Sequence, residues 1–98
     1  MLIGVVELEF HLPAATSIKD KRRVIKSIIG QLQSRFHVTA AEVDFQELWQ
    51  RAVIAAGYIS NDGTQVQKVL NHVIRWVEGV HESELIRSEI HLFSPEED

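Results

Sequence analysis

The sequence predicts an α+β fold with the element order strand, helix, strand, strand, helix, strand. Apolar residues alternate with other residues over 2–12, and they recur at helical spacing over 17–35 and 62–78. A run that is apolar on both faces, at 52–59, lies between the two helices. Two strand–helix–strand halves with right-handed crossovers form a four-stranded antiparallel sheet with both helices on one face. The predicted architecture is therefore a ferredoxin-like two-layer sandwich, βαββαβ, with the spatial strand order 4-1-3-2.

The first predicted strand covers 2–12 and ends at Pro13, because proline cannot continue a strand's hydrogen bonding. The opposite face of this strand begins with Ile3 and Val5 and ends with acidic residues, so we expect it to be only partly polar. The core face carries the other set of the alternation: Leu2, Val6, Leu8, Phe10 and Leu12.

Both predicted helices have residues that favour N-capping at their starts. Ser17 precedes the first helix with Asp20 in a capping-box-like position, and this helix continues to about Arg35. Asp62 precedes the second helix, and Gly79 ends it.

The other three strands are predicted at 37–44, 52–59 and 84–93. The run at 52–59 suits a central strand that is covered on both sides. In the last strand, alternation with Arg87, Glu89 and His91 assigns three apolar residues to the core face: Ile86, Ile90 and Leu92.

The chain of 98 residues has the size of one domain, which we expect to span 1–93 with a short acidic tail at 94–98. Because it contains no cysteine, disulfides, thiolate metal sites and a thiol nucleophile are excluded. No apolar segment approaches the roughly 18 residues that a membrane helix needs. There is also no secretory apolar segment before Glu7, so we expect a cytoplasmic protein with no membrane partner.

The net charge of −4 conceals one basic segment. Residues 17–35 contain six Lys or Arg and one Asp, whereas 36–98 contain eleven acidic residues and four Arg or Lys. On the first helix four cations share an arc away from the apolar stripe, and Lys21 lies nearby, close to that stripe. We call this set the basic face: Lys19, Lys21, Arg22, Arg23 and Lys26.

The basic face has two interpretations. Its cations could bind the phosphates of RNA, in which case binding would fall steeply with salt. Alternatively, it is a solvated helix surface that contributes only solubility. Positive charge at a helix N-terminus opposes the helix macrodipole, and a binding role would explain why this small cost is tolerated.

A second polar cluster, which we call the corner, lies between the second and third predicted strands: Glu42, Asp44, Trp49, Gln50 and Arg51. Its two carboxylates could act as general acid and base. In the structural alternative, Asp44 caps the loop, Arg51 pairs with Glu42 or Asp44, and Trp49 closes one end of the core. No nucleophile, glycine-rich phosphate loop or metal triad accompanies the corner, so we favour the structural interpretation and expect no enzymatic activity.

The five histidines lack the spacing of metal ligands. His11 and His91 are predicted at opposite ends of neighbouring strands, so they should not share a metal. We therefore expect no metal site and no cofactor. The remaining three occur singly as surface residues: His37, His72 and His81.

The sheet face opposite the helices should carry Ile3 and Val5 together with one apolar set from the third strand. Exposed apolar patches of a few hundred Å² often mark an interface. We therefore expect a homo-oligomer, and most simply a homodimer, formed through this open sheet face. The alternative is a small apolar patch that water tolerates.

Three segments resemble the signatures of a known family. The segment 17–22, Ser-Ile-Lys-Asp-Lys-Arg, is similar to the Ser-Leu-Lys-x-Lys-Arg signature of the small bacterial YlxP-like family, a domain of unknown function. Two further signatures resemble 41–52 and 60–62, although Ile18 replaces the usual Leu and Glu47 stands where Asp is common. The signature residues to test first are Lys19, Lys21, Arg22, Asp44, Trp49, Gln50 and Arg51.

This resemblance implies a ferredoxin-like fold and no established catalytic residues. Genes of the family often lie near those of translation and ribosome maturation factors, which implies an RNA or a ribosomal particle as partner. We therefore predict a small binding protein that contacts RNA or the ribosome through its first helix. The alternatives are a homo-oligomeric regulatory or protein-interaction domain that uses the open sheet face, and an enzyme that uses the acidic corner.

Overall fold

The computed structural model describes residues 1–95, which contain the six elements in the predicted order. The strands are β1 (Leu2–His11), β2 (Thr39–Asp44), β3 (Arg51–Ser60) and β4 (Glu84–Phe93), and the helices are α1 (Ile18–Phe36) and α2 (Gly63–Glu78). The largest shift from a predicted boundary is at β2, which begins two residues late because His37 caps α1 in the left-handed conformation, with φ 55°. Of the predicted acidic tail, residues 96–98 lie outside the described range.

The four strands form one antiparallel sheet in the order β2-β3-β1-β4, which confirms the predicted topology. The central strand β1 pairs along its whole length with β3, from Leu2 opposite Ser60 to His11 opposite Arg51. Helix α1 packs on β2 and β3, and α2 packs on β1, β3 and β4. The helices therefore form one layer and the sheet forms the other.

The core lies between these two layers, as the alternation in the sequence predicts. Val6, Leu8 and Phe10 of β1 are fully buried. The facing helical side chains are also buried, and each contributes roughly 1.5–3 kcal/mol when it leaves water. Those of α1 and α2 are Val24, Ile25, Ile28, Leu32, Val66, Val69, Leu70, Val73 and Val77.

Both predicted N-caps are present. Ser17 Oγ accepts the N–H of Asp20 at 3.1 Å, and the Asp20 carboxylate accepts from Oγ1 of Thr16 at 2.8 Å. The reciprocal bond of the capping box is therefore made to the residue before the cap. Asp62 accepts two backbone N–H groups at the start of α2, at 3.0 and 3.4 Å. Neither helix of the described part has the length and apolar character needed to cross a bilayer.

The open sheet face has an apolar end and a charged end. At the apolar end the register places Ile59, Ile3 and Phe93 in one row across three strands, and Ile59 and Phe93 are 64% and 53% exposed. The charged end carries Glu9 and Arg87 opposite each other. The predicted apolar contribution of β1 and β3 to this face is therefore present.

A β-bulge in β4 changes one predicted core position. Phe10 pairs with Leu85 and Glu9 pairs with Arg87, so Ile86 is an additional residue between two successive pairs. Its side chain is 53% exposed, and the prediction that Ile86 faces the core is wrong. Simple alternation fails here because the additional residue changes the phase of the strand: Leu85 before the bulge pairs with the core-facing Phe10, whereas Ile90 after it keeps its predicted core face.

Candidate functional site

The outer surface of α1 carries four of the five residues of the basic face. Lys19, Arg22, Arg23 and Lys26 are exposed because the apolar stripe of the helix faces the sheet. Nη2 of Arg23 lies 2.7 Å from Oε2 of Glu82, and the hydrogen bond from Arg23 lowers the pKa of the Glu82 carboxyl. Within residues 1–95 the other three cations have no hydrogen-bond or ion-pair partner. Three unpaired positive charges are therefore available on one helix surface.

Lys21 is the exception within the basic face. Its side chain is 1% exposed, and its Nζ lies 2.9 Å from Oε2 of Glu42 and donates a hydrogen bond to the carbonyl oxygen of Phe45. The inclusion of Lys21 among the phosphate contacts was therefore wrong, because its ammonium is enclosed and already paired. Its position beside the apolar stripe was predicted correctly, but the side chain points inwards instead of reaching to solvent.

The corner is built around Phe45, which has a left-handed backbone with φ 60°. Its N–H donates to Oδ1 of Asp44 at 2.8 Å, so Asp44 caps the loop as the structural alternative predicted. Its carbonyl accepts from Lys21, and its ring lies 4.2 Å below the guanidinium carbon of Arg51. A bulky side chain rarely adopts this backbone conformation, and these three contacts hold it there.

Arg51 does not pair with Glu42 or Asp44, which corrects the predicted pairing. Its Nη2 donates to Oε2 of Glu9 on the neighbouring strand, while Nε of Arg87 lies 3.3 Å from Oε1 of the same carboxylate. Glu9 is only 8% exposed although it belongs to the open sheet face. The hydrogen bond from Arg51, followed by that from Arg87, lowers the pKa of Glu9 against the opposing effect of burial.

Trp49 does not close the core, which overturns the second part of the structural interpretation. Its side chain is 52% exposed, and the neighbouring Leu48 is 46% exposed. Both line an open groove of about 500 Å³ with His11, Gln50 and Arg51, and with Glu47 at the same opening. We call this the Trp49 groove.

The histidines remain apart from one another. His11 Nδ1 lies 3.5 Å from Glu84 at the end of β1, whereas His91 pairs with Val5 in the first half of β1 and its Nε2 lies 2.8 Å from Glu7. Among residues 1–95 no group of three or more His, Asp or Glu side chains is arranged to hold a metal. The two carboxylates of the corner also separate, because Glu42 is mostly buried against Lys21 while Asp44 is exposed and caps its own loop.

Two further cations lie on the outer surface of the helix layer and were not assigned to a site from the sequence. Lys68 and Arg75 are exposed on α2, seven residues apart and so on the same side of the helix. Together α1 and α2 contain eight Lys or Arg and two acidic residues, a net charge of +6. Since the whole chain carries −4, the remaining residues carry −10. The sum of charge over 36–98 did not reveal this separation, because that range contains α2 together with three strands.

Sequence reasoning also missed the part played by Glu9. Its signal was present in the predicted sheet order, because pairing of the first and last strands brings an arginine of the last strand opposite it. The pair continues the register that begins with Ile3 opposite Phe93 and ends before the bulge, and no residue pattern in a single strand indicates that register.

Comparison with known proteins identifies relatives along most of the chain. The uncharacterised protein YlxP of Bacillus subtilis (strain 168) is 32% identical over 83 residues, which is 85% of this chain and 90% of that protein. Two solved structures share the fold at low identity. The structured domain of Boca from Drosophila melanogaster has a TM-score of 0.50 at 15% identity, covering 89% of this chain and 95% of that one. The de novo designed protein Foldit4 has a TM-score of 0.51 at 14% identity, covering 94% and 97%.

These structural likenesses show the fold alone. The family model described as "Protein of unknown function (DUF503)" matches residues 3–90, nearly the whole described domain. With that match and the identity to YlxP, the chain belongs to the YlxP-like DUF503 family.

Proposed function

We propose that this protein is a cytoplasmic, non-enzymatic RNA-binding protein that contacts phosphates through the outer surface of its helix layer. The observation that carries the proposal is the separation of charge between the two helices and the rest of the chain. The helices carry +6 and the remainder of the chain carries −10. A chain with a net charge of −4 would not attract a polyanion uniformly, so this distribution favours contact in one orientation.

The local geometry supports the same surface. Lys19, Arg22 and Lys26 project from consecutive turns of α1, and within residues 1–95 no carboxylate neutralises them. By contrast, Arg51 and Arg87 on the sheet side both bind Glu9. The unpaired cations of α1 add nothing to the core, and Lys19 in the first turn opposes the macrodipole of the helix. A phosphate ligand would give these charges a role.

The choice of RNA within the nucleic acids rests on the resemblance to the YlxP-like family, whose genes often lie near those for translation and ribosome maturation. An A-form or single-stranded RNA presents phosphates that surface Lys and Arg contact without reading sequence. We therefore expect binding with weak sequence preference, in which salt strongly lowers the affinity.

The test is the salt dependence of RNA binding by the full chain and by the triple variant Lys19→Gln/Arg22→Gln/Lys26→Gln. A structured RNA with single-stranded loops is titrated by fluorescence anisotropy at several salt concentrations. If three phosphate contacts are lost, the slope of log affinity against log salt should become shallower by about 2. The affinity at low salt should fall at the same time.

The matched control changes the net charge by the same amount away from the helix layer. Thr39→Glu/Ala41→Glu/Val43→Glu adds three negative charges at exposed positions of β2, where Thr39 and Ala41 lie in register with Gly57 and Ala55 on the open sheet face. For this control, the slope of log affinity against log salt should equal that of the wild type. If both triple variants lose the same affinity for RNA, or if the wild type shows no measurable RNA binding, the helix layer is not an RNA-binding surface.

A second candidate function follows from the apolar end of the open sheet face. Ile59, Ile3 and Phe93 form one row across β3, β1 and β4, and two of the three are more than half exposed. Such a row suits a homodimer in which two sheets pack face to face. Sedimentation should then give a dimer mass for the wild type and a monomer mass for Ile59→Lys. A wild-type monomer at high concentration would eliminate this candidate.

A further inference from the structure

The strand β4 lies at an edge of the sheet, and one of its sides is open. It pairs with β1, and within residues 1–95 no strand pairs with its other side and no element besides β1 and α2 packs against it. An open edge presents N–H and C=O groups with which another strand can pair, and natural sheets often protect it with Lys, Pro or a bulge. The bulge at Ile86 protects only the beginning of β4, and the segment 87–93 contains neither Lys nor Pro. This segment is therefore a regular edge that can accept another strand.

The opposite edge of the sheet is less suited to pairing. β2 has six residues, whereas β4 has ten. The register of β2 with β3 also shifts between Glu42 and Asp44, so that only 39–42 is regular. Short strands and bulges both discourage the addition of a further strand. Of the two edges, that of β4 is the one that favours association.

Apolar side chains of β4 remain in water on both faces of the sheet. Phe93 on the open sheet face and Leu92 on the helix side are 53% and 43% exposed. Ile90 packs against the core but is only partly buried. A strand added beside β4 would continue both layers of side chains. It would remove this apolar surface from water, which stabilises an assembly.

Two-fold symmetry limits the ways in which β4 can pair with a second copy of itself. Directly opposite residues of an antiparallel pair lie on the same face of the sheet, so one residue at the centre lies opposite its own copy. A centre at Glu89 would bring two carboxylates together, which is unfavourable. A centre at Ser88 would include the bulge, and a centre at His91 would leave Arg87 unpaired. A centre at Ile90 pairs every residue of 87–93.

The side chains are complementary in this last register. The carboxylate of Glu89 lies opposite an imidazole, whose N–H can donate to it. Arg87 lies opposite an aromatic ring, and the flat face of its guanidinium can stack there while its edge keeps the contacts with Glu9 and Glu89. The pairs are Arg87 with the partner's Phe93, Ser88 with the partner's Leu92, Glu89 with the partner's His91, and Ile90 with the partner's Ile90.

We propose that two copies of this chain associate through their β4 edges, with Ile90 at the two-fold axis, and form one continuous antiparallel sheet. The axis is perpendicular to the sheet, so the helix layers of both copies lie on the same side. This dimer differs from face-to-face packing of two sheets, because the open sheet face with Ile59 stays in water. The inference does not depend on RNA binding.

The first measurement is sedimentation equilibrium of the full chain and of the variant Ser88→Lys/Glu89→Lys. Both positions are exposed, and lysine is a residue that protects sheet edges. The wild type should give a dimer mass, and the variant should dimerise about 10-fold more weakly, because every altered cross-strand pair occurs twice in a two-fold dimer. The matched control, Thr39→Lys/Ala41→Lys/Val43→Lys, adds the same positive charge at exposed positions of β2. It should dimerise like the wild type.

Disulfide cross-linking tests the register. The chain contains no cysteine, so a single introduced cysteine can form a disulfide only between two copies. Under mild oxidation Ile90→Cys should cross-link faster than Ile86→Cys, although Ile86 is the more exposed residue, because only Ile90 lies opposite its own copy. The variant Arg87→Cys/Phe93→Cys changes two exposed positions outside the core and should also cross-link two copies.

Three results would overturn the inference, and none of them bears on the proposed RNA binding. The first is a wild type that stays monomeric at high concentration. The second is a dimer that Ile59→Lys abolishes and Ser88→Lys/Glu89→Lys retains, since that dimer would form through the open sheet face. The third is faster cross-linking of Ile86→Cys than of Ile90→Cys, together with no cross-linking of Arg87→Cys/Phe93→Cys. Conversely, an edge dimer in a chain that binds no RNA would support this inference and overturn the proposed function alone.

Discussion

Nζ of Lys21 lies 2.9 Å from Oε2 of Glu42, and this ion pair joins the start of α1 to β2 with both side chains largely removed from water. Lys21 is 1% exposed and Glu42 is 19% exposed. Desolvation offsets most of the attraction in such a pair, so the pair adds little net stability as a unit. Because Lys21 also binds the carbonyl of Phe45, its main effect is to fix the loop of the corner against the helix.

Replacing Glu42 should lower the free energy of unfolding more than replacing Lys21. Glu42→Gln leaves a buried ammonium without its counter-charge, and we expect the free energy of unfolding to fall by about 3 kcal/mol. Lys21→Met leaves a carboxylate that still reaches water, so it should cost less. Urea denaturation of both variants at neutral pH measures the difference. A Lys21→Met variant that is less stable than Glu42→Gln would contradict this account.

Two glycines should respond in opposite directions to substitution by alanine. A Cβ at Gly30, on the exposed surface of α1, would meet no atom within 4 Å, so Gly30→Ala should raise the free energy of unfolding by about 0.5–1 kcal/mol. A Cβ at Gly4 would overlap the side chains of Val66 and Leu70 of α2, so Gly4→Ala should cost about 1–3 kcal/mol. Thermal denaturation of the two variants side by side tests both. Equal effects would show that the spacing between β1 and α2 does not depend on Gly4.

The fold followed from the sequence because local signals agreed with one another. Alternation fixed the core face of β1, and Ser17 and Asp62 marked the starts of both helices. The bulge at Ile86 could not be predicted, because it depends on which residues of β1 and β4 pair. Strand register is a property of the assembled sheet and leaves only a weak trace in one strand.

The candidate site was predictable only in part, for a related reason. The outward direction of Lys19, Arg22 and Lys26 follows from helical periodicity, which the sequence contains. The burial of Lys21 depends on Glu42 and Phe45 meeting it from another element. The exposure of Trp49 depends on how the loop bends after Phe45, whose left-handed backbone no residue pattern indicated.

Glu9 should make the stability of the protein depend on pH below about 5. Its hydrogen bonds from Arg51 and Arg87 lower the pKa of its carboxyl from the ordinary value of 4.5. In acid the unfolded chain therefore binds a proton at this group more readily than the folded protein does. The stabilisation is fully present above pH 4.5 and is lost as the pH falls through the lowered pKa of the folded state.

The Glu9→Gln variant separates this group from the other carboxyls with lowered pKa, Asp20 and Glu82. At neutral pH it should be less stable than the wild type, because a neutral amide replaces the carboxylate between two guanidinium groups. The difference in urea midpoint should shrink as the pH is lowered from about 7 to about 3. As a control, Glu84→Gln removes an exposed carboxylate whose contact with His11 is 3.5 Å long, and it should change the midpoint little at any of these pH values. A Glu9→Gln deficit that stays constant across this range would mean that the ionisation of Glu9 does not stabilise the sheet.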